Sequence, residues 1–229
     1  MDEFFNNFDN IGTLMLDALM RVIPALICIT IHELAHGFTA YKLGDPTAKE
    51  MGRLTFNPIK HIDPMGLLMM LVLRFGWAKP VPVNMHNFKY PKWYMAFTAV
   101  AGPISNLILA VIFMFIFGLL IIPLSGSEAG AVINEMIFNT IYISIALSVF
   151  NMLPLPPLDG SKFLFSVLPE KTYFKLMQYE RFGMILLLVL VGAQFIFGIN
   201  IFQRTIGQAT EFIMNHISIL FYFAIGLVN

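Results

Sequence analysis

The sequence predicts an all-α polytopic membrane protein, with about five to six transmembrane helices and a small strand or re-entrant element on its cytoplasmic side. Three observations carry this. The chain of 229 residues is 58% hydrophobic and 12% charged, where soluble domains carry about a quarter charged residues. Its apolar residues gather into stretches near the ~20 residues that match the hydrocarbon thickness of a bilayer. The breaks between them hold proline, glycine and an uneven share of lysine and arginine.

Taken in order, residues 1–21 mix Phe4, Phe5, Phe8 and Leu14 with acids and are expected at the membrane surface. The N-terminus carries Asp2, Glu3, Asp9 and Asp17 rather than a basic region, so no cleaved signal peptide is expected. Val22 to Leu43 is the first span, ended by Gly44-Asp45-Pro46. Residues 45–64 are polar, with Pro58, Pro64 and the alternation Arg53-Leu54-Thr55-Phe56, and read as loop or short strand. Met65 to Leu73 is apolar but too short to cross, which favours a re-entrant or interfacial piece. Residues 74–92 form a loop. Tyr94 to Ile122 is the second span, with a kink expected at Gly102-Pro103. Ala131 to Leu153 is the third, stopped by Pro154-Leu155-Pro156-Pro157. Phe182 to Phe202 and Phe212 to Val228 complete five crossings. Residues 1–229 therefore read as a single membrane-embedded domain, with a core at about 22–168 and C-terminal helices at 182–228.

Loop charges orient the spans. Positions 42–92 hold eight Lys or Arg and 162–181 hold four more, whereas 1–20 and 123–130 hold none. The positive-inside rule puts the basic loops in the cytoplasm, the N-terminus outside and, after five crossings, the C-terminus in the cytoplasm. With zero net charge, nothing favours nucleic acid as a partner. Cys28 is the lone cysteine, has no partner for an internal disulfide, and reads as a small packing residue.

Inside the first span stands His32-Glu33-Leu34-Ala35-His36. Residues four apart share a helix face, so both imidazoles point the same way, as two nitrogen ligands of one Zn²⁺ require. Glu33 is then placed to hold or deprotonate a water on the metal. Two histidines and a glutamate are expensive in an apolar span unless they act together. The alternative is a helix-packing pair with Glu33 hydrogen-bonded between them. A catalytic zinc usually takes three protein ligands, and Asp159, after the proline-broken end of a span running in the same direction, is the candidate third. Read alone, Asp159 equally suits an N-cap, with Gly160 allowing the turn.

His32-Glu33-Leu34-Ala35-His36-Gly37, Ala101-Gly102-Pro103-Ile104-Ser105-Asn106 and Asn151 to Asp159-Gly160 together resemble the site-2 protease family of intramembrane zinc metalloproteases. Gly52 to Gly66 is similar to its short prokaryotic branch, which lacks a PDZ domain. The resemblance covers about residues 22–165; Ser161-Lys162 stand where family members often have Gly and Arg. It implies an all-α membrane bundle with a small strand-containing cytoplasmic element. It implies one zinc per chain on His32, His36 and Asp159, with Glu33 as general base. It also implies that Asn151 holds the substrate or its oxyanion.

His61 and Asn57 are auxiliary candidates. His61 is open between reaching the zinc site and being a loop histidine, with Asn57 and Asp63 as turn residues. Asn106 is expected to hydrogen-bond between helices. The implied substrate is the transmembrane segment of another protein in the lipid bilayer, clamped by edge pairing along residues 52–73. A metal-ion transporter would use the same groups but has no need of Glu33 and usually shows repeated halves, which are not seen. A catalytically silent interaction protein has no need of the intact motif.

Overall fold

The computed structural model describes residues 2–73, 76–197 and 201–228. Among them the chain is helical almost throughout: α1 (Asp2–Lys42), α2 (Thr47–Glu50), α3 (Pro64–Leu73), α4 (Pro91–Leu120), α5 (Glu128–Asn151), α6 (Asp159–Phe165), α7 (Glu170–Gln178), α8 (Glu180–Phe197) and α9 (Ile201–Gly226). Among the described residues, four helical stretches are long and apolar enough to cross a membrane, at Met15–Lys42, Pro91–Leu120, Glu128–Asn151 and Arg204–Gly226. Four of the five expected spans are thereby found. Positions 182–197 of the remaining one lie in α8, and its positions 198–200 fall outside the described residues, as do 74 and 75 of the second loop.

Two helix boundaries lie outside the expected spans. The segment before the first span is continuous with it, since α1 runs through Pro24 as one helix. At 1.5 Å per residue its 41 residues extend about 60 Å, twice a bilayer's hydrocarbon thickness. Positions 203–211, which separate the fourth and fifth expected spans, are also helical: they contain no proline, and Thr210 is fully buried.

The bundle centres on α4, which packs against α1, α5 and α9. With lipid outside, helices gain little by hiding apolar surface from one another, so small residues that permit close approach decide which faces meet. Thr140, Ser144 and Ser148 form such a stripe on α5, spaced by four. Ser144 Oγ donates to Cys28 Sγ on α1 at 3.3 Å, and Ser148 Oγ donates to the Pro103 carbonyl on α4 at 2.9 Å. Cys28 is fully buried in that seam. Further along, Ala110 and Met114 of α4 pack with Ile137, Ile141 and Ile145 of α5, and Ile213, Ile217 and Phe221 of α9 close the cluster. Gly118 lets α9 approach: a Cβ there would stand 2.5 Å from the Phe221 carbonyl oxygen. Phe97, Ile104 and Ile108 of α4, with Phe212, Ile219 and Phe223 of α9, face outward, as lipid-facing side chains should.

The expected strand element is reduced to one antiparallel bridge among the described residues, Ile62 to Ala78, with the Lys79 N–H donating to the His61 carbonyl at 3.0 Å. Arg53 to Phe56 form no strand. The reason lies in what flanks the bridge: Pro58 and Asn57 open a 3-10 turn over Pro58–His61, and Pro80 and Pro82 lack N–H groups for a ladder. Helix α3, ten residues long, is too short to span. Gly66 brings it against the arm of chain at 76–83, where a Cβ would fall 2.0 Å from the Trp77 carbonyl oxygen.

Candidate active site

The arm at 76–83 and the helices α1, α4, α5 and α6 line much of an open cavity of about 640 Å³ whose wall includes His32, Glu33, His36, Asn151 and Asp159. Two of these elements set the central groups. The four-residue spacing on α1 brings both imidazoles together edge to face, with ring centroids 4.6 Å apart and planes at 89°. Asp159 arrives at the first position of α6, whose N-cap is Leu158, so its carboxylate is not the helix cap that its sequence context also allows. Gly160 makes this placement feasible, because a Cβ there would meet the Met152 carbonyl oxygen at 2.2 Å.

Asp159 Oδ2 lies 3.1 Å from Nε2 of His32 and 3.1 Å from Nε2 of His36, and those two nitrogens are 3.0 Å apart. All three residues are buried. The donor set suits zinc, two imidazole nitrogens and one carboxylate oxygen. Ligands about 2.0–2.1 Å from a tetrahedral zinc stand about 3.3 Å apart, so this triangle needs only a small outward adjustment to hold one. It is the one such group of three metal-binding side chains among the described residues.

The histidines rest on a notch in α4. A Cβ on Gly102 would come within 2.4 Å of His36 Nε2 and 2.7 Å of His32 Cε1. We therefore expect Gly102→Ala to displace the ring pair and cut zinc affinity at least tenfold, while the helix, which alanine favours, persists. Metal titration with circular dichroism of the same sample checks this. Unchanged affinity would mean that the rings have room the geometry does not give them.

Glu33 is half-buried beside the triangle, and its Oε2 accepts the Val81 N–H at 2.7 Å. Residues 80–82 read Pro-Val-Pro, so Val81 supplies the only backbone donor of that stretch, and the donor goes to the glutamate. The arm is anchored on both sides of this contact. Arg53, buried, donates Nη2 to the Lys79 carbonyl at 2.7 Å and to the Pro80 carbonyl at 3.2 Å. Asp45, also buried, accepts the Asn84 N–H and an amide hydrogen of Asn87, both at 2.7 Å. Burial raises the Asp45 carboxyl, but its bonds from Thr47, Asn87 and Asn84 prevail and lower it, so the anchor is ionised at neutral pH. Gly37 admits the arm to α1, since a Cβ would stand 2.9 Å from Val81 Cγ1.

The remaining candidates are placed differently. Asn151 lines the cavity, with its Nδ2 donating to the Leu147 carbonyl of its own helix at 3.0 Å. His61 is buried in the loop between α2 and α3, where Nε2 donates to the Thr55 carbonyl at 2.9 Å, and it does not join the His32–His36–Asp159 group. Asn57 is exposed and caps the 3-10 turn, its Oδ1 accepting the Ile59 N–H. Val81, Arg53 and the Thr98 carbonyl, which accepts His36 Nδ1–H at 2.7 Å, were not anticipated. The doubled proline around Val81 was the signal available; a backbone carbonyl leaves none in sequence.

Comparison with known proteins agrees with this geometry. A family model described as peptidase family M50 matches residues 118–197. "Putative zinc metalloprotease YwhC" of Bacillus subtilis is 45% identical over 173 residues, covering 74% of this chain and 78% of that protein. "Putative zinc metalloprotease Rip2" of Mycobacterium tuberculosis is 30% identical over 176 residues, 75% of this chain and 66% of that one. Its namesake in Mycolicibacterium smegmatis is 29% identical over 170 residues, 72% and 64% respectively. No solved structure matches the chain. With a relative 45% identical across most of both proteins, the chain belongs to peptidase family M50, the site-2 protease family.

Proposed function

We propose that this intramembrane zinc metalloprotease holds one Zn²⁺ on His32, His36 and Asp159 and cuts a peptide bond in or near the transmembrane segment of another membrane protein. The observation that carries the assignment is the triangle of Nε2, Nε2 and Oδ2 within 3.1 Å, opening on a cavity that also holds Glu33. When bound, the metal supplies a Lewis acid for the scissile carbonyl and an acidified water. The chain's own residues supply the rest. Glu33 takes the proton from the attacking water and returns it to the departing amine nitrogen. Its Oε2 is engaged by Val81, which leaves Oε1 for that exchange and fixes the carboxylate plane. Asn151 stands on the cavity wall where its amide would meet the substrate, after release from the Leu147 carbonyl. The substrate enters extended, because a helical peptide bond is shielded by its own hydrogen bonds.

The test is removal and return of metal. Purified protein should carry about one zinc per chain, lose cleavage of a co-reconstituted transmembrane substrate on chelation, and regain it with zinc. Cleavage that persists in metal-free protein would sink the reading.

The chain lies in the membrane, and its orientation follows from loop charge: the N-terminus outside, and the loops 44–92 and 154–181 with the C-terminus in the cytoplasm. Cysteines at Lys49 or Lys171, in a background lacking Cys28, should react only with reagent applied from the cytoplasmic side. Labelling from outside would reverse the assignment.

A further inference from the structure

Helix α4 meets the two histidines with three residues spaced by four, Thr98, Gly102 and Asn106. Thr98 serves His36, Gly102 makes room for both rings, and the Asn106 amide lies 3.3 Å from Nδ1 of His32. For His36 the polarity is settled by chemistry. A carbonyl only accepts, so Nδ1 of His36 carries a proton, and in the neutral ring that ligates a metal Nε2 turns its lone pair towards the point shared with Asp159 and His32. His32 presents its Nε2 to the same point and needs the same tautomer to do the same work.

Asn106 is completely buried, and its Oδ1 has no hydrogen-bond partner. The Asn106 amide has its Nδ2 towards His32 Nδ1. That pairing would require an unprotonated Nδ1 and place the proton on Nε2, at the centre of the triangle. Amide oxygen and nitrogen are interchangeable in shape, and the choice between them is made from the surrounding bonds. Turned by 180°, the amide presents Oδ1 to an Nδ1–H.

We propose that Asn106 is a positioning residue for the metal: its Oδ1 accepts the Nδ1–H of His32, fixing the ring with Nε2 free to ligate. This rests on the ligand assignment above. Outer groups of this kind orient metal-bound imidazoles and raise their basicity, and their loss typically costs about 10–100-fold in metal affinity. The pair Thr98 and Asn106 then serves His36 and His32 from one face of α4, with Gly102 between them.

The experiment is zinc affinity of the detergent-purified chain, by competition with a chromophoric chelator, for wild type, Asn106→Leu, Asn106→Asp, His36→Ala and Asp159→Ala. Leucine matches the size of the amide but accepts nothing, and should weaken binding about 10–100-fold. Aspartate offers only acceptors, and should bind at least as tightly as wild type. Wild-type affinity in Asn106→Leu overturns the proposal, as does a monodisperse Asn106→Asp that binds as weakly as leucine. Weakening in His36→Ala and Asp159→Ala with none in Asn106→Leu removes this proposal alone; no weakening in any variant removes the ligand assignment. Should the buried aspartate prevent folding, ¹⁵N resonances of histidine in zinc-loaded wild type decide. Metal on Nε2 of His32 with a slowly exchanging Nδ1 proton supports the proposal, and metal on Nδ1 refutes it.

Discussion

Glu33→Gln should keep its zinc and lose about 10²–10⁴-fold in peptide cleavage, the range for removing a general base, with more lost if the metal's water depends on it fully. Glutamine keeps the length of the side chain and one oxygen that accepts the Val81 N–H, now 2.7 Å from Glu33 Oε2. The arm at 76–83 therefore stays attached, through Arg53 and Asp45 as well. What disappears is the basic oxygen. Substrate should accordingly be captured and not cut, which a crosslink between the variant and an intact substrate would record. A transporter would go on moving metal with glutamine at this position, and a silent homologue would behave as wild type in every assay. Wild-type cleavage by a zinc-loaded Glu33→Gln would remove the glutamate from the mechanism.

How much of this was legible in the chain depends on whether a property is local. The spacing of His32 and His36 is a statement about one helix, and the structure keeps it on α1. Pairing Asp159 with them rested on the direction of its span, a property of the whole topology, and the structure brings its carboxylate within 3.1 Å of both imidazoles. The short strand allowed within 52–73 is reduced to the Ile62–Ala78 bridge for a local reason: alternation of apolar and polar residues cannot show that the chain opposite, with Pro80 and Pro82, lacks the N–H groups a ladder needs. That residues 2–21 and the first span form one helix was not legible, because charge marks where a membrane ends and not where a helix ends. Contacts such as Arg53 to the Lys79 carbonyl, or Thr98 to His36, join side chains to backbone across distant segments. No residue type announces them beforehand. Asn106 was read as an interhelical hydrogen-bonding residue, and the structure places its amide between α4 and α1.

Asp159→Ala should abolish the stabilisation that zinc confers, and this is the sharpest test of the third ligand. A ligand that binds only the folded state stabilises it by RT ln(1 + [L]/Kd), about 2.7 kcal/mol at a hundredfold excess over Kd. Wild type should show that shift in thermal unfolding as zinc is added, while the variant at the same concentrations should show almost none. The metal-free variant should still fold, because α6 is held by more than its first side chain. Gly160 seats against the Met152 and Leu153 backbone, Ser161 Oγ donates to the Leu158 carbonyl at 2.7 Å, and Lys92 on α4 donates to the Leu168 carbonyl. Asp159→Asn keeps the shape without the charge and should fall between the two, since a neutral amide oxygen is a poorer zinc ligand than a carboxylate. An equal zinc-induced shift in wild type and Asp159→Ala would place the third ligand elsewhere. His61, buried with Nδ1 unpartnered in the loop beneath the arm, would then be the residue to replace next.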